Sequence, residues 1–351
     1  MRYMAFGRRT GLRVSEYALG TANFSTAWGG GAERAEARKM FDRFAEAGGT
    51  LIDTADCYGY GQAEEYLADC LAADRAHFVV SSKFTCGALA KPDMSYTGNS
   101  RRTMHRAVEE SLRRLGTDHL DLYWAHFADP LTPIDEVVAA FGDLVRSGKV
   151  LHAGLSNFPA WRVTRAATIA ELRGWAPVIA IQVEYSLVER TAERELLPMA
   201  DALGLGVALW SPLGGGLLTG KYRVDSRGRL TDWKRVVHVE DTAQKTAVVD
   251  AVLAVAEETG APSARVAMAW LRHRAARSTT TYVPIIGPRD AAQLEDYLAA
   301  LDLVLSDSQV RRLDEVSAVS LGVPHEIGRN ALRGVVPGAR DQVLWPAIPV
   351  A

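Results

Sequence analysis

The chain has 351 residues, 48% apolar and 23% charged, with 42 acidic against 40 basic side chains, the composition of a globular protein able to bury a large core. A formal charge of −2 offers no basic field, which argues against nucleic acid or an anionic membrane as the main partner and leaves a small molecule as the expected ligand. Three cysteines cannot pair completely, and their spacing fits neither a zinc motif nor a thioredoxin motif; the N-terminal stretch, broken by Arg8, Arg9 and Arg13, lacks the apolar run of a signal peptide. The expectation is a reducing cytoplasm, no metal and no membrane insertion.

In chain order, Tyr3 to Phe6 and Leu12 to Ser15 flank a turn at Thr10-Gly11 and predict a small hairpin. Eight strand-length runs follow, at Tyr17 to Gly20, Thr50 to Thr54, Phe78 to Lys83, Leu120 to His126, Val150 to Asn157, Ile179 to Ser186, Gly206 to Ser211 and Tyr282 to Gly287. Between them lie segments with apolar residues at helical spacing, such as Ala37, Met40, Phe41 and Phe44. Gly48, Gly148 and Gly204 each close one of these segments just before the next strand. Eight alternating units favour a closed (β/α)8 TIM barrel over an open doubly wound sheet, all the more because Gly20-Thr21-Ala22-Asn23-Phe24 carries no G-x-G-x-x-G after the first strand. The hairpin is then expected to plug the barrel floor.

The longest irregular gap, Pro212 to about Asp232, is expected to form a lid at the barrel mouth, followed by helical patterns at Val236 to Thr259 and Ser263 to His273. Ser306 opens an extra helix, and Gly322 to Ala351 form a tail rich in Pro and Gly. No domain boundary is visible, so 1–351 is read as one barrel domain.

Barrel enzymes place their chemistry at the C-terminal ends of the strands. Here those ends carry Asp53 with Tyr58, then Lys83, then His126, on adjacent strands. A phenol is a poor acid at neutral pH, an adjacent ammonium brings it closer to the working range, and a buried lysine needs a carboxylate to stay charged. Lys83 beside Tyr58, with Asp53 holding Lys83 and His126 orienting a carbonyl oxygen, would make a proton-donating site. Singly, each residue has a plainer reading: a structural ion pair, a loop anchor, a core histidine.

Six ordered segments then resemble the aldo-keto reductase family across nearly the whole chain: Ile52-Asp53-Thr54-Ala55-Asp56-Cys57-Tyr58-Gly59, Ser82-Lys83, Asp121 to His126, Gly154-Leu155-Ser156-Asn157-Phe158, Gln182-Val183-Glu184-Tyr185, and Trp210 to Lys221. The resemblance is to the bacterial type and extends to the potassium-channel β subunits. It implies a catalytic tetrad of Asp53, Tyr58, Lys83 and His126, and an NADP(H) cofactor lying extended across the mouth. By position, Ser156, Asn157 and Gln182 would read the carboxamide, Trp210 would stack on the nicotinamide, and the strap through Gly216 and Lys221 would hold the pyrophosphate. Arg289 would meet the 2′-phosphate, Gln293 and Asp296 the adenine. Thr21, Ser211, Pro212, Leu213, Leu217 and Gly287 complete the implied cofactor contacts. Tyr297 departs from the family, which commonly has Asn there. Gly215-x-x-x-x-Gly220-Lys221 also begins like a P-loop, but Tyr222 follows where Ser or Thr would hold magnesium.

Phe24, Trp28, Trp124 and Phe127 are the expected substrate contacts, an apolar set for an aldehyde or ketone, including apolar or keto-sugar compounds; Arg102, Arg223 and Arg229 are the cations that could approach the mouth. The leading reading is an NADPH-dependent carbonyl reductase with Tyr58 as general acid. The alternative is a cofactor-sensing regulatory subunit with slow or no turnover. A metal-dependent barrel hydrolase lacks paired ligands at the first four strand ends and is set aside. A homo-oligomer stays open.

Overall fold

The computed structural model describes residues 1–91, 93–224 and 238–328. Two short antiparallel strands, β1 (Tyr3–Ala5) and β2 (Arg13–Ser15), form the expected hairpin. Eight parallel strands then close on themselves: β3 (Ala18–Gly20), β4 (Leu51–Asp53), β5 (Val79–Phe84), β6 (Leu120–Ala125), β7 (Val150–Ser156), β8 (Val178–Glu184), β9 (Gly206–Trp210) and β10 (Tyr282–Ile286), with β10 paired to both β9 and β3. The fold is a (β/α)8 TIM barrel.

The helices between the strands are α1 (Arg34–Glu46), α2 (Gln62–Leu71), α3 (Arg101–Leu115), α4 (Ile134–Arg146), α5 (Ala160–Arg173), α6 (Leu196–Leu203), α7 (Ala243–Thr259) and α8 (Ser263–Ala276); α9 (Ala291–Ala299) and α10 (Asp307–Val316) follow the last strand. Their ends follow the sequence signals. Gly204 caps α6 at φ 70°, its N–H returned to the Ala200 and Asp201 carbonyls, a conformation costly for any residue with a Cβ. Helix α7 starts at Ala243 because Thr242 accepts from the Lys245 N–H. The predicted start at Val236, Arg229, the second part of the expected lid from residue 225 and the tail from residue 329 lie outside the described residues.

Strand side chains alternate between two cores. Outward positions such as Ile52, Val80, Phe84, Leu209 and Ile286 join the large shell of apolar residues beneath the helices. Inward positions such as Leu51, Leu122, Trp124, Ala180, Ala208 and Ile285 pack inside the barrel, and Phe6 and Val14 of the hairpin segment join them from below. The barrel floor is thereby plugged. The same inward parity, carried to the strand ends, aims Asp53, Lys83, His126, Gln182 and Trp210 into the mouth.

Trp124 fills the barrel through an absence. A Cβ on Gly154 would lie 2.3 Å from its Cε3, so the glycine on β7 makes room for the indole on β6. Gly154→Ala is therefore expected to lower the urea midpoint by the equivalent of about 1–3 kcal/mol, the usual range for overpacking a core; an unchanged midpoint would show that the indole can move aside.

Candidate active site

Three adjacent strands deliver the polar cluster. Asp53 ends β4 opposite Ser81 on β5, Lys83 sits one inward position further along β5, and His126 directly follows β6, its N–H bonded to the Phe84 carbonyl. Tyr58 stands on a short 3-10 turn after β4, where Gly59 and Tyr60 take positive φ and turn the chain sharply. The four residues distant in sequence meet at one end of the barrel.

Lys83 is fully buried and uses all three of its N–H groups: on Asp53 Oδ2 at 2.6 Å, the Thr54 carbonyl at 2.8 Å and the Tyr58 hydroxyl oxygen at 3.2 Å. An ammonium can only donate, so the phenol oxygen accepts and its own O–H is left to point elsewhere. Ser81 and Gln182 donate to Asp53 Oδ1, each at 2.9 Å, which satisfies the second carboxylate oxygen. Ser81 escaped the sequence reading, although its inward parity with Lys83 on β5 was a usable signal.

Burial works to strip the proton from Lys83, but the Asp53 carboxylate and the Tyr58 oxygen outweigh it and the ammonium is held above its ordinary range. For Tyr58, burial pushes the phenol up to about 12, against the downward pull of Lys83. The sequence argument named that pull; the structure adds the larger desolvation, so the phenol stays protonated at neutral pH. Burial pushes His126 below its ordinary value and keeps it uncharged.

Aromatic rings flank this pair. Trp28 meets both Tyr58 and Tyr60 edge-on at 6.2 Å, while Phe127 stacks on His126 at 4.4 Å and is 43% exposed. Of the four expected substrate contacts Phe127 lines the cavity, Trp28 is an edge-on neighbour of Tyr58 that does not line it, and two belong elsewhere. Phe24 is fully buried in the shell under the helices, and Trp124 is consumed inside the barrel against Gly154; neither lines the cavity.

The cavity holds about 520 Å³. It is lined by Asp53, Tyr58, His126 and Phe127, by Asn157, Gln182, Trp210, Ser211, Pro212, Leu213, Gly215 and Gly216, and by Arg289, Gln293 and Asp296. Lys221 and Gly287 line it too, whereas Thr21, Ser156 and Leu217 are buried and off its surface. Gly20, Thr219, Ala264 and Ile285 also line it without having been foreseen; small or apolar residues give no chemical signal in a sequence. Tyr297 lines it as well.

Several lining groups are already tied. Asn157, at φ 56°, donates to the His126 carbonyl and to Ser156 Oγ and accepts from the Trp210 indole at 3.2 Å, so the amide holds the tryptophan in place. Tyr222, the residue that breaks the P-loop pattern, donates to the Gly215 carbonyl at 2.9 Å and closes the glycine strap on itself. Gly216 takes φ 97°, and a Cβ there would press within 3.1 Å of Lys221 Cε, so the backbone stays bare beside the ammonium. Gln293 accepts from the Arg289 N–H, and Asp296 pairs with Arg265 at 2.8 Å. Arg223 is committed to Glu240 and Asp250, and Arg102 is exposed on α3. Asn23, on the first loop, donates to the Gly287 and Pro288 carbonyls and ties that loop to the last.

The sequence profile of the Aldo/keto reductase family matches residues 17–318, from the first barrel strand to beyond α10. The chain belongs to the aldo/keto reductase family. The uncharacterized oxidoreductase YrpG of Bacillus subtilis is 38% identical over 325 residues, covering 90% of this chain and 96% of that protein. A putative aryl-alcohol dehydrogenase of Saccharomyces cerevisiae is 32% identical across 93% of this chain and 89% of its own length. Norsolorinic acid reductase of Aspergillus flavus is 32% identical across 90% and 80%. As an aldo/keto reductase the protein is an oxidoreductase of small-molecule carbonyl chemistry; among the described residues no helix is long and apolar enough to cross a membrane.

Proposed function

We propose that the protein is an NADPH-dependent carbonyl reductase whose substrate is an aromatic aldehyde or ketone. The observation that carries the reading is Lys83 Nζ bridging Asp53 and the Tyr58 oxygen, two residues that line one cavity together with Arg289. The bare glycine backbone beside Lys221 and the guanidinium next to the N-terminus of α9 suit a diphosphate and a further phosphate. The aromatic rings of Phe127 and Tyr58 in the cavity lining favour an aryl group, in line with the aryl-alcohol dehydrogenase named among the relatives.

A reduced nicotinamide bound along the cavity supplies the hydride. Tyr58 gives its proton to the carbonyl oxygen, and the Lys83 ammonium stabilises the phenolate left behind. Asp53 keeps that ammonium charged and fixed. His126, uncharged, hydrogen-bonds the carbonyl oxygen and sets its angle to Tyr58. Gln182 and, through its Oδ1 alone, Asn157 would hold the carboxamide, since both Asn157 N–H groups already donate to the His126 carbonyl and Ser156, and Trp210 would present its ring.

The test is a fluorescence titration with NADPH and NADH, followed by a panel of aromatic aldehydes, diketones and keto-sugars monitored at the nicotinamide absorbance. Oxidation of NADPH by the aromatic members is the expected result; a preference for keto-sugars would overturn the substrate class, and tight binding without turnover would favour a cofactor-sensing subunit. Arg289→Ala is expected to weaken NADPH by about 10- to 100-fold, the worth of a charge-assisted phosphate contact, with NADH changed less than about threefold by the same reasoning. Equal loss for both cofactors would remove Arg289 from the 2′-phosphate.

A further inference from the structure

Cys57, Cys86 and His126 lie 29 and 40 residues apart in sequence, which is why their spacing resembles no metal motif. The barrel erases that separation. Cys57 follows β4, Cys86 follows β5 and His126 follows β6, so three neighbouring strands each present one soft or borderline ligand at the same end of the barrel. Their two sulfurs and one imidazole nitrogen all lie within 4.8 Å of one another, with Cys57 Sγ 3.9 Å from His126 Nδ1. All three cysteines of the chain are thiols.

We propose that Cys57, Cys86 and His126 form a three-ligand site for a thiophilic divalent cation of the zinc class, with the fourth position open beside the exposed Cys86. Tetrahedral zinc with sulfur at about 2.3 Å and nitrogen at about 2.0 Å places its ligand atoms about 3.5–3.8 Å apart, so the cluster needs a closure of about an ångström or less by this geometry. The backbone that must hold still is already fastened: the His126 N–H donates to both the Phe84 carbonyl and Thr85 Oγ1, and Thr85 Oγ1 also donates to Asn99. The remaining closure falls to the two cysteine side chains.

The charges balance. Coordination releases one proton from each thiol to solvent, and two thiolates neutralise the dication, so no net charge is added next to Lys83. Lys83 is itself neutralised by Asp53. Two thiolates and an imidazole select zinc or cobalt over magnesium or calcium, which take oxygen. Metal on Nδ1 would also fix the remaining imidazole proton on Nε2, so occupancy would set the tautomer of a residue that the proposed reductase chemistry uses.

The purified full-length protein is titrated with Co²⁺ alone, without cofactor or carbonyl compound, so the result does not depend on the reductase reading. One equivalent is expected to produce thiolate-to-cobalt charge-transfer absorption and the visible bands of a tetrahedral ion, reversed by one equivalent of Zn²⁺. Cys86→Ser, which alters an exposed position, is expected to weaken uptake at least about tenfold, the loss of one of three protein ligands; Cys70→Ser, on α2, is expected to leave it unchanged. Absence of the thiolate band, or uptake indifferent to Cys86→Ser and to Cys57→Ser, would overturn the site.

Discussion

Tyr58→Phe is expected to lower turnover of the best aromatic aldehyde by about a thousandfold, within the span usually supplied by a positioned general acid, while NADPH affinity changes less than about twofold. The ring keeps its edge-on contacts with Trp28 and His126, so the pocket shape survives, and what disappears is the one O–H that Lys83 leaves uncommitted. The pH profile adds a second check. Because burial pushes the phenol up to about 12 and keeps His126 uncharged, both groups hold their working protonation state between pH 7 and 9, and reduction should be flat there. The reverse reaction needs the phenolate, whose small population grows about tenfold per pH unit below its pKa, so alcohol oxidation should climb steeply over the same interval. A reduction rate that falls between pH 7 and 9 would place the proton donor elsewhere, as would substantial turnover by the phenylalanine variant.

The barrel was legible because its repeat is written in two periodicities at once: strand-length runs rich in β-branched or aromatic residues, such as Phe78 to Lys83 and Leu120 to His126, then helical stripes such as Val137, Val138, Phe141 and Leu144 that all prove buried. The cluster at its mouth was legible because charge at the end of a buried strand is rare, and Asp53, Lys83 and His126 each stand at such an end. What the sequence hid follows from geometry. Trp124 and His126 share the inward parity of β6, but a step of two residues moves the side chain a full layer down, from the mouth to the packed interior. Phe24 lies on the loop that also carries Trp28, yet only Trp28 turns toward Tyr58, since a loop has no periodicity to read. Residues such as Ala264 and Ile285 line the cavity through their position alone. The neighbourhood of Cys57 and Cys86 needs the order of strands β4 to β6 around the barrel before it can be seen.

The second large effect concerns stability. Asp53→Ala is expected to destabilise the fold by about 3–5 kcal/mol, the usual result of removing one partner of a buried ion pair. Lys83 remains with no route for its charge to reach water, and the Ser81 hydroxyl and Gln182 amide lose their acceptor. Replacing both members, Asp53→Leu with Lys83→Met, removes the orphan charge along with its partner. Well-packed apolar pairs of similar volume commonly match or exceed the ion pair they replace, so the double variant should recover the part of the loss that comes from the orphan charge, with an unfolding midpoint clearly above that of Asp53→Ala, while Ser81 and Gln182 stay without their acceptor. Turnover should stay abolished, because no ammonium remains beside the Tyr58 oxygen. That separation is the decisive outcome: a double variant as unstable as Asp53→Ala would assign the pair to the architecture of the barrel, whereas a stable but inactive one shows that the buried pair serves Tyr58.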